Sequence, residues 1–186
     1  MNRFFNLILA LFVFFILTPL MVLISGLIFV VDGEYPLYFS RRIGKDNKSF
    51  LMPKFRTMKS TTPQEATHLL EDPEQYLLST GLFLRKYSLD ELPQIISVLL
   101  GDMVFVGPRP ALYNQHDLIA LRENKHINHL KPGITGWAQV NGRDELSIQE
   151  KVRYDEEYLA RASLGFDIFI IWLTLVKVLK KEGVSH

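Results

Sequence analysis

A chain of 186 residues has room for one domain of ordinary size with a real core. Its formal net charge of +1 excludes a global field that would draw nucleic acid, and the lack of cysteine excludes disulfides, thiolate metal sites and cysteine nucleophiles. Of the five histidines only His126 and His129 lie at helical spacing; with no HExxH-like partner set they read as solvated surface.

Residues 4–31 carry no charge and are dense in Leu, Ile, Val and Phe. As one helix they would run ~42 Å at 1.5 Å per residue, more than the ~30 Å hydrocarbon core. The run is too long for a signal-peptide core of about 7–15 residues, and no small-residue cleavage site follows it. A membrane anchor is expected. Thr18-Pro19 falls near its middle, where proline removes one backbone bond and pushes against the carbonyl of Phe15. Two geometries are open. A kinked helix spans the bilayer, with Thr18 re-satisfying the freed backbone. Alternatively, a sharper break gives a hairpin whose halves, ~22 and ~18 Å long, are each too short to cross. Arg41, Arg42, Lys45, Lys48, Lys54, Arg56 and Lys59 follow the run, against Arg3 before it, which places the rest of the chain on the cytoplasmic face.

Residues 36–58 read as strand, turn, strand: Leu37-Tyr38-Phe39, then Gly44-Lys45-Asp46-Asn47, then Phe50-Leu51-Met52. Pro53 confines the second strand to an edge. Lys54-Phe55-Arg56 either meets anionic headgroups or projects cations into a phosphate site. Residues 61–80 are a polar surface excursion. A helical rhythm spans residues 82–100, with Ile95, Ile96, Val98 and Leu99 as its apolar face and Gly101-Asp102 as its stop. A short strand at 103–106 meets the turn Gly107-Pro108-Arg109-Pro110, whose prolines pre-organise the Arg109 guanidinium for a planar anion. Residues 111–130 read as helix. Between Lys131 and Arg143 three glycines and a proline mark a loop held to one path, able to bring backbone N–H groups and an arginine to a ligand. Residues 147–162 read as an amphipathic helix. Residues 166–179 are nearly all apolar and too short to span comfortably. With Trp172 and Lys180-Lys181 they read as a helix in the membrane interface, or else as a core helix.

The chain turns on Ser88-Leu89-Asp90-Glu91-Leu92-Pro93-Gln94. Ser88-x-x-Glu91 is a capping-box pattern, so the two carboxylates have a bland reading at a helix N-terminus. The other reading is chemical. An acidic pair ringed by cations holds a divalent metal and attacks a phosphorus centre.

Four motifs then occur in order: Lys54-Phe55-Arg56-Thr57-Met58; Leu84 to Gln94 with Asp90-Glu91 inside it; Gly101 to Pro110 with Pro108-Arg109-Pro110; and Pro132 to Arg143. This chain closely resembles the bacterial sugar transferases known as monotopic phosphoglycosyl transferases, above all their small members. The resemblance implies an α+β, mostly helical fold. It pairs a re-entrant helix-break-helix anchor (1–32, turning at Thr18-Pro19) with a compact cytoplasmic catalytic domain (33–186). That domain has short strands and an interfacial amphipathic C-terminal helix. It also implies transfer of a sugar-1-phosphate from a UDP-sugar to polyprenol phosphate at the cytoplasmic face of the bacterial inner membrane, giving polyprenyl diphosphate sugar and UMP. By resemblance Asp90 is the nucleophile that forms an aspartyl phosphosugar, and it also holds Mg²⁺. Glu91 is its dyad partner, and Lys54, Arg85, Arg109 and Arg143 face the phosphates and nucleotide. The implied partners are the UDP-sugar, polyprenol phosphate and membrane lipids; nucleic acid has no role and homo-oligomerisation is left open. Thr18 stands where many relatives have serine, and Asn6 where they often carry an acidic residue. The rival class is a membrane-bound nucleotide-sugar sensor or scaffold, which would keep the arginines but not need Asp90 beside Glu91.

Overall fold

The longest element follows from the longest apolar run. In the computed structural model, which describes residues 3–62, 73–142 and 145–180, helix α1 covers Arg3–Asp32 with Pro19 inside it. The interruption expected at Thr18-Pro19 is therefore not a change of secondary structure. Thr18 Oγ1 donates to the Phe14 carbonyl at 2.7 Å, which satisfies the hydroxyl within the helix one turn back. Among the described residues α1 is the helix long and apolar enough to cross a membrane.

Helix α1 buries only a stripe. Asn6, Ala10, Ile24 and Ile28 are 0–5% exposed, whereas Phe4, Phe12, Phe15, Leu23 and Val30 are 63–81% exposed. Keeping such side chains in water forgoes ~1.5–3 kcal/mol apiece, so the outer face suits an apolar surrounding better than water. The buried stripe packs along the domain. Ala10 joins Met52, Ile95, Val98 and Met103; Ile24 and Ile28 join Phe55, Leu78 and Leu84. Polar contacts fix both ends: Asn6 Oδ1 accepts from the Phe105 N–H at 3.1 Å, and the Asp32 carboxylate accepts from Ser79 N at 2.8 Å and Thr80 Oγ1 at 2.6 Å.

After α1 come β1 (Leu37–Ile43) and β2 (Ser49–Phe55), an antiparallel hairpin with Leu37 opposite Phe55 and Ile43 opposite Ser49. The two-residue strand β4 (Ala111–Leu112) adds to the far side of β1, giving the order β2-β1-β4 and leaving Pro53 on an edge strand, as its missing donor requires. Strands β3 (Val104–Val106) and β5 (Gly133–Thr135) form a separate parallel pair.

Two helical expectations are corrected. Residues 82–100 are not one helix: α2 (Gly81–Lys86), a 3-10 segment (Leu89–Gln94) and α3 (Ile95–Leu100) follow one another, hinged at Ser88 with φ 52°. A left-handed Ser88 cannot continue the helix or cap the next one, and its side chain makes no capping bond. Residues 111–130 divide into β4, α4 (His116–Asn124) and a 3-10 turn (Ile127–His129).

The rest is helical: α5 (Trp137–Val140), α6 (Ile148–Arg161) and α7 (Leu164–Lys180). Ser147 and Glu150 make a complete capping box at the start of α6. Helix α7 buries Phe166 and Ile170 against Val106, Val140 and Tyr158, and turns Leu164, Ile168, Trp172 and Leu175 outward. The chain is mostly helical, with short strands in two small sheets.

Candidate active site

The acidic pair lies in the 3-10 segment between α2 and α3. The tighter turn puts Asp90 and Glu91 on different neighbours. Lys54, near the end of β2, donates through Nζ to Glu91 Oε1 at 2.9 Å and lies 3.9 Å from Asp90 Oδ2. Arg109 Nη2 donates to the same Glu91 oxygen at 2.9 Å. Glu91 is thus held by two cations, while no donor hydrogen-bonds to Asp90 among the described residues. That difference suits one carboxylate to orient the site and the other to react.

Electrostatics separate them further. The Asp90 side chain is only 14% exposed. Burial pushes its carboxyl above the ordinary aspartate range, and the Glu91 charge adds to this, against the pull of Lys54, Arg85 and Arg109. Burial pulls the Arg85 guanidinium the other way, downward, with Asp90 opposing; arginine nonetheless stays charged. Arg85 Nε donates to Thr57 Oγ1 at 3.0 Å, so Thr57 aims Arg85 while Lys54, three residues earlier, reaches the dyad. Gly81 is required here: a Cβ on it would lie 2.3 Å from the Thr57 carbonyl oxygen. Arg56 does not join the site. It donates to the Tyr35 and Leu37 carbonyls and tethers the chain leaving α1.

Every carbonyl of the Pro108-Arg109-Pro110 turn is held. Pro108 accepts from the Gly133 N–H at 2.9 Å, Arg109 from Arg122 Nη1 at 2.8 Å, and Pro110 from Arg42 Nη1 at 3.1 Å. Arg122 is itself fixed by Asp155, through Nε at 2.9 Å and Nη2 at 2.6 Å. Asp155 is 1% exposed, and burial raises its carboxyl above the ordinary range against the pull of Arg122. One turn further along α6, the Tyr158 hydroxyl lies 3.0 Å from the Val106 carbonyl and 2.7 Å from Asp167 Oδ1, which pins β3 just before the turn.

Beside the dyad is a cavity of about 300 Å³ whose walls include Glu91 and Arg109. Arg143 lies outside the described residues, although Gly142 before it lines this cavity. Among the described residues no group of three or more His, Asp or Glu side chains forms a preassembled metal site. Magnesium does not require one, being held commonly by one or two carboxylates plus substrate phosphates. Asp90, buried and without a hydrogen-bond donor among the described residues, fits that role. Glu91, whose Oε1 is shared by Lys54 and Arg109, fits it less well.

Residues 1–181, which contain all of these groups, match the family model described as bacterial sugar transferase. The chain belongs to the bacterial sugar transferase family. This sugar transferase is 41% identical over 152 residues to the uncharacterized sugar transferase EpsL of Bacillus subtilis, covering 81% of this chain and 74% of that one. It is 43% identical over 160 residues to the UDP-glucose:undecaprenyl-phosphate glucose-1-phosphate transferase of Xanthomonas campestris pv. campestris, covering 79% of this chain but 32% of that protein. To the exopolysaccharide production protein ExoY of Sinorhizobium fredii it is 32% identical over 198 residues, covering 98% and 87%. The sugar transferase thus spans most of EpsL and ExoY and about a third of the Xanthomonas protein.

Of the residues expected in the site, Asp90, Glu91, Lys54 and Arg109 converge within direct contact, and Arg85 stands beside them. Sequence reasoning missed Arg122, Asp155, Thr57 and Asn6. Thr57 had a signal in its place inside the Lys54 to Met58 motif, and Asn6 one in its departure from relatives; Arg122 and Asp155 had none.

Proposed function

We propose that this sugar transferase moves a sugar-1-phosphate from a UDP-sugar to polyprenol phosphate at the cytoplasmic face of the bacterial inner membrane. It releases UMP and makes the first lipid-linked intermediate of a glycoconjugate. The observation that carries the reading is Asp90: a buried carboxylate with a raised pKa and, among the described residues, no hydrogen-bond donor on it, set among Lys54, Arg85 and Arg109. Such a group is a stronger base than an ordinary aspartate and is open to attack an electrophile. The Xanthomonas relative's name supplies the donor and acceptor classes.

In this reading an Asp90 oxygen attacks the sugar-bearing phosphorus of the donor. A bond from Asp90 to phosphorus forms, the bond from that phosphorus to the oxygen bridging to UMP breaks, and UMP leaves. A phosphate oxygen of the polyprenol phosphate then attacks the same phosphorus and breaks the bond to Asp90, giving polyprenyl diphosphate sugar and the free carboxylate. Splitting the transfer this way makes two easier displacements of one hard one. Lys54, Arg85 and Arg109 stabilise the charge on the transferring phosphoryl oxygens, and Arg143 serves the nucleotide or phosphates from the fourth motif. Glu91 positions Lys54 and Arg109. Magnesium, held by Asp90 and the donor diphosphate, would add neutralising charge at the phosphates.

The anchor is re-entrant in this reading, with residues 1–32 and the catalytic domain on the same side. Support comes from the stripe between Asn6 and Ile28, which touches the domain along ~33 Å of helix. A helix crossing the bilayer would draw those contacts through the whole ~30 Å core. Helix α7, with Trp172, Ile168 and Leu175 outward, lies in the interface. The test is UMP release from a panel of UDP-sugars with and without polyprenol phosphate, using the full chain and its Asp90→Asn variant. Acceptor-dependent release by the wild type alone supports the proposal. Equal release by both proteins would sink it.

A further inference from the structure

We infer that the lipid acceptor enters between α1 and α7 and that its phosphate is received by Lys177, which lines the same cavity as Glu91 and Arg109. This rests on the transfer reaction proposed above and adds where the acceptor sits. The cavity of about 300 Å³ has walls from both membrane-facing helices: Val13 and Leu17 from α1, Val178 from α7, with Phe105 and Ile134 between them. Its volume is at the lower end of the ~300–1,000 Å³ usual for ligand pockets. It has room for the phosphate-proximal end of a prenyl chain, whose remainder would run out along the apolar faces of α1 and α7.

The lining decides the occupant. Polar groups, Lys86, Ser88, Gln139 and Thr174 among them, do line it, but most of the exposed wall is apolar and lies on helices whose outer faces are themselves apolar, which suits a lipid better than a nucleotide or a sugar. Asp90, Lys54 and Arg85 are not among the lining residues, so this space opens on the Glu91 side of the dyad and leaves the other side to a soluble donor. The cations at this cavity, Lys86, Arg109 and Lys177, match a lipid phosphate. Lys177 is partly buried on the same face of α7 as Thr174 and Val178, and no carboxylate pairs with it among the described residues. Helix α7 is fixed at this point, since Thr174 Oγ1 lies 2.7 Å from Thr135 Oγ1 on β5. A prenyl chain in the apolar space with its phosphate between Lys177 and Arg109 satisfies both lining chemistries.

The experiment uses the full chain in nanodiscs, with Lys177→Gln, Lys177→Arg and Leu17→Trp. KM is measured separately for polyprenol phosphate and for the UDP-sugar. Binding of a fluorescent short-chain prenyl phosphate, and of the matching uncharged prenol, is measured without any donor. Lys177→Gln should raise the acceptor KM and weaken prenyl phosphate binding by about tenfold, the loss of one charge-assisted contact, and leave the donor KM unchanged. Lys177→Arg should restore most of this. Leu17→Trp should weaken both prenyl probes. An unchanged acceptor KM in Lys177→Gln and Leu17→Trp, with the wild type active, would overturn the inference and leave the transfer reaction standing; so would a change confined to the donor KM. If the wild type turned over no UDP-sugar, the reaction would fail, and the probe measurements would still decide the groove.

Discussion

Arg122 grips Arg109 by its main chain: Nη1 of the first donates to the carbonyl oxygen of the second at 2.8 Å. The same guanidinium is held from behind by Asp155, so the position of Arg109, the arginine beside Glu91, depends on a buried ion pair between α4 and α6. Breaking such a pair from one side typically costs ~3–5 kcal/mol, and Asp155→Ala is expected to lower Tm accordingly. Replacing both partners, as in Arg122→Met with Asp155→Leu, should leave stability near wild type. It still removes the donor from the Arg109 carbonyl. The double variant is therefore expected to fold, to keep its KM values, and to lose about tenfold to a hundredfold in kcat through misplacement of Arg109. Wild-type kcat in the folded double variant would show that the pair serves stability alone.

Asp90→Asn is expected to abolish turnover without harming the fold. The carboxyl's raised pKa means that the native state holds the ionised form at a cost, which a neutral amide removes. Its Tm at neutral pH should equal or exceed that of the wild type. A large drop in Tm would make Asp90 a structural residue and remove the reason to call it the nucleophile.

The same shift sets a pH dependence. In the proposed reaction only the ionised Asp90 attacks, so kcat/KM should fall on the acid side with a limb above the ordinary aspartate value of 3.8. Lys54→Met removes a cation that favours the charged form and should move the limb up. Glu91→Gln removes a like charge and frees Lys54 for Asp90, and should move it down. The stability sign is the reverse of the common carboxylate case. Between the ordinary value and the raised one, the native state binds more protons than the unfolded chain, so stability falls as pH rises through that window. The stability difference between Asp90→Asn and wild type should therefore shrink as pH is lowered. Limbs that do not move in these variants would place the titration elsewhere.

Pro19→Ala restores a backbone donor and favours a straight helix by ~3 kcal/mol. A shift of part of the population toward a spanning form is expected, with lower activity. Asn2→Cys supplies the only thiol in the chain, and an impermeant maleimide applied to intact spheroplasts reads its side. Protection until lysis in the Pro19 background is expected. Labelling before lysis would establish a spanning anchor instead.

Arg109→Lys keeps the charge but loses the planar fork that bonds Glu91 and, in the proposed reaction, faces a phosphate. Activity should fall by about tenfold or more, the worth of one charge-assisted hydrogen bond. Unchanged kinetics would show that one point charge suffices there.

Much of the site could be read from local patterns, because Lys54, Asp90, Glu91 and Arg109 sit in short motifs whose order is informative. What could not be read depends on contacts between distant positions. Arg122 and Asp155 are 33 residues apart, and nothing in the spacing of either reveals a partner. Local pattern also misled at Ser88. The same Ser-x-x-Glu signal makes a true capping box at Ser147, with φ −60° and ψ 161°, and fails at Ser88, with φ 52°. Cap chemistry needs an extended N-cap backbone, and close packing around the dyad overrides that preference. Asn6 was legible only as a departure from relatives. In the fold its amide oxygen takes the Phe105 N–H, a task for which a neutral acceptor suffices.

The stripe on α1 has a practical meaning for anyone wishing to handle this enzyme in water. Ala10, Ile24 and Ile28 complete the same apolar clusters that contain Ile95, Val98, Phe55 and Leu84, the packing beneath the reactive turn. Trimming residues 1–32 would not release a soluble catalyst; it would unroof those clusters and strip Phe105, Ser79 and Thr80 of their side-chain partners. Helix α1, long and apolar enough to cross a membrane, is a wall of this domain, and purification, crystallisation or inhibitor screening has to carry it along with its apolar outer face covered.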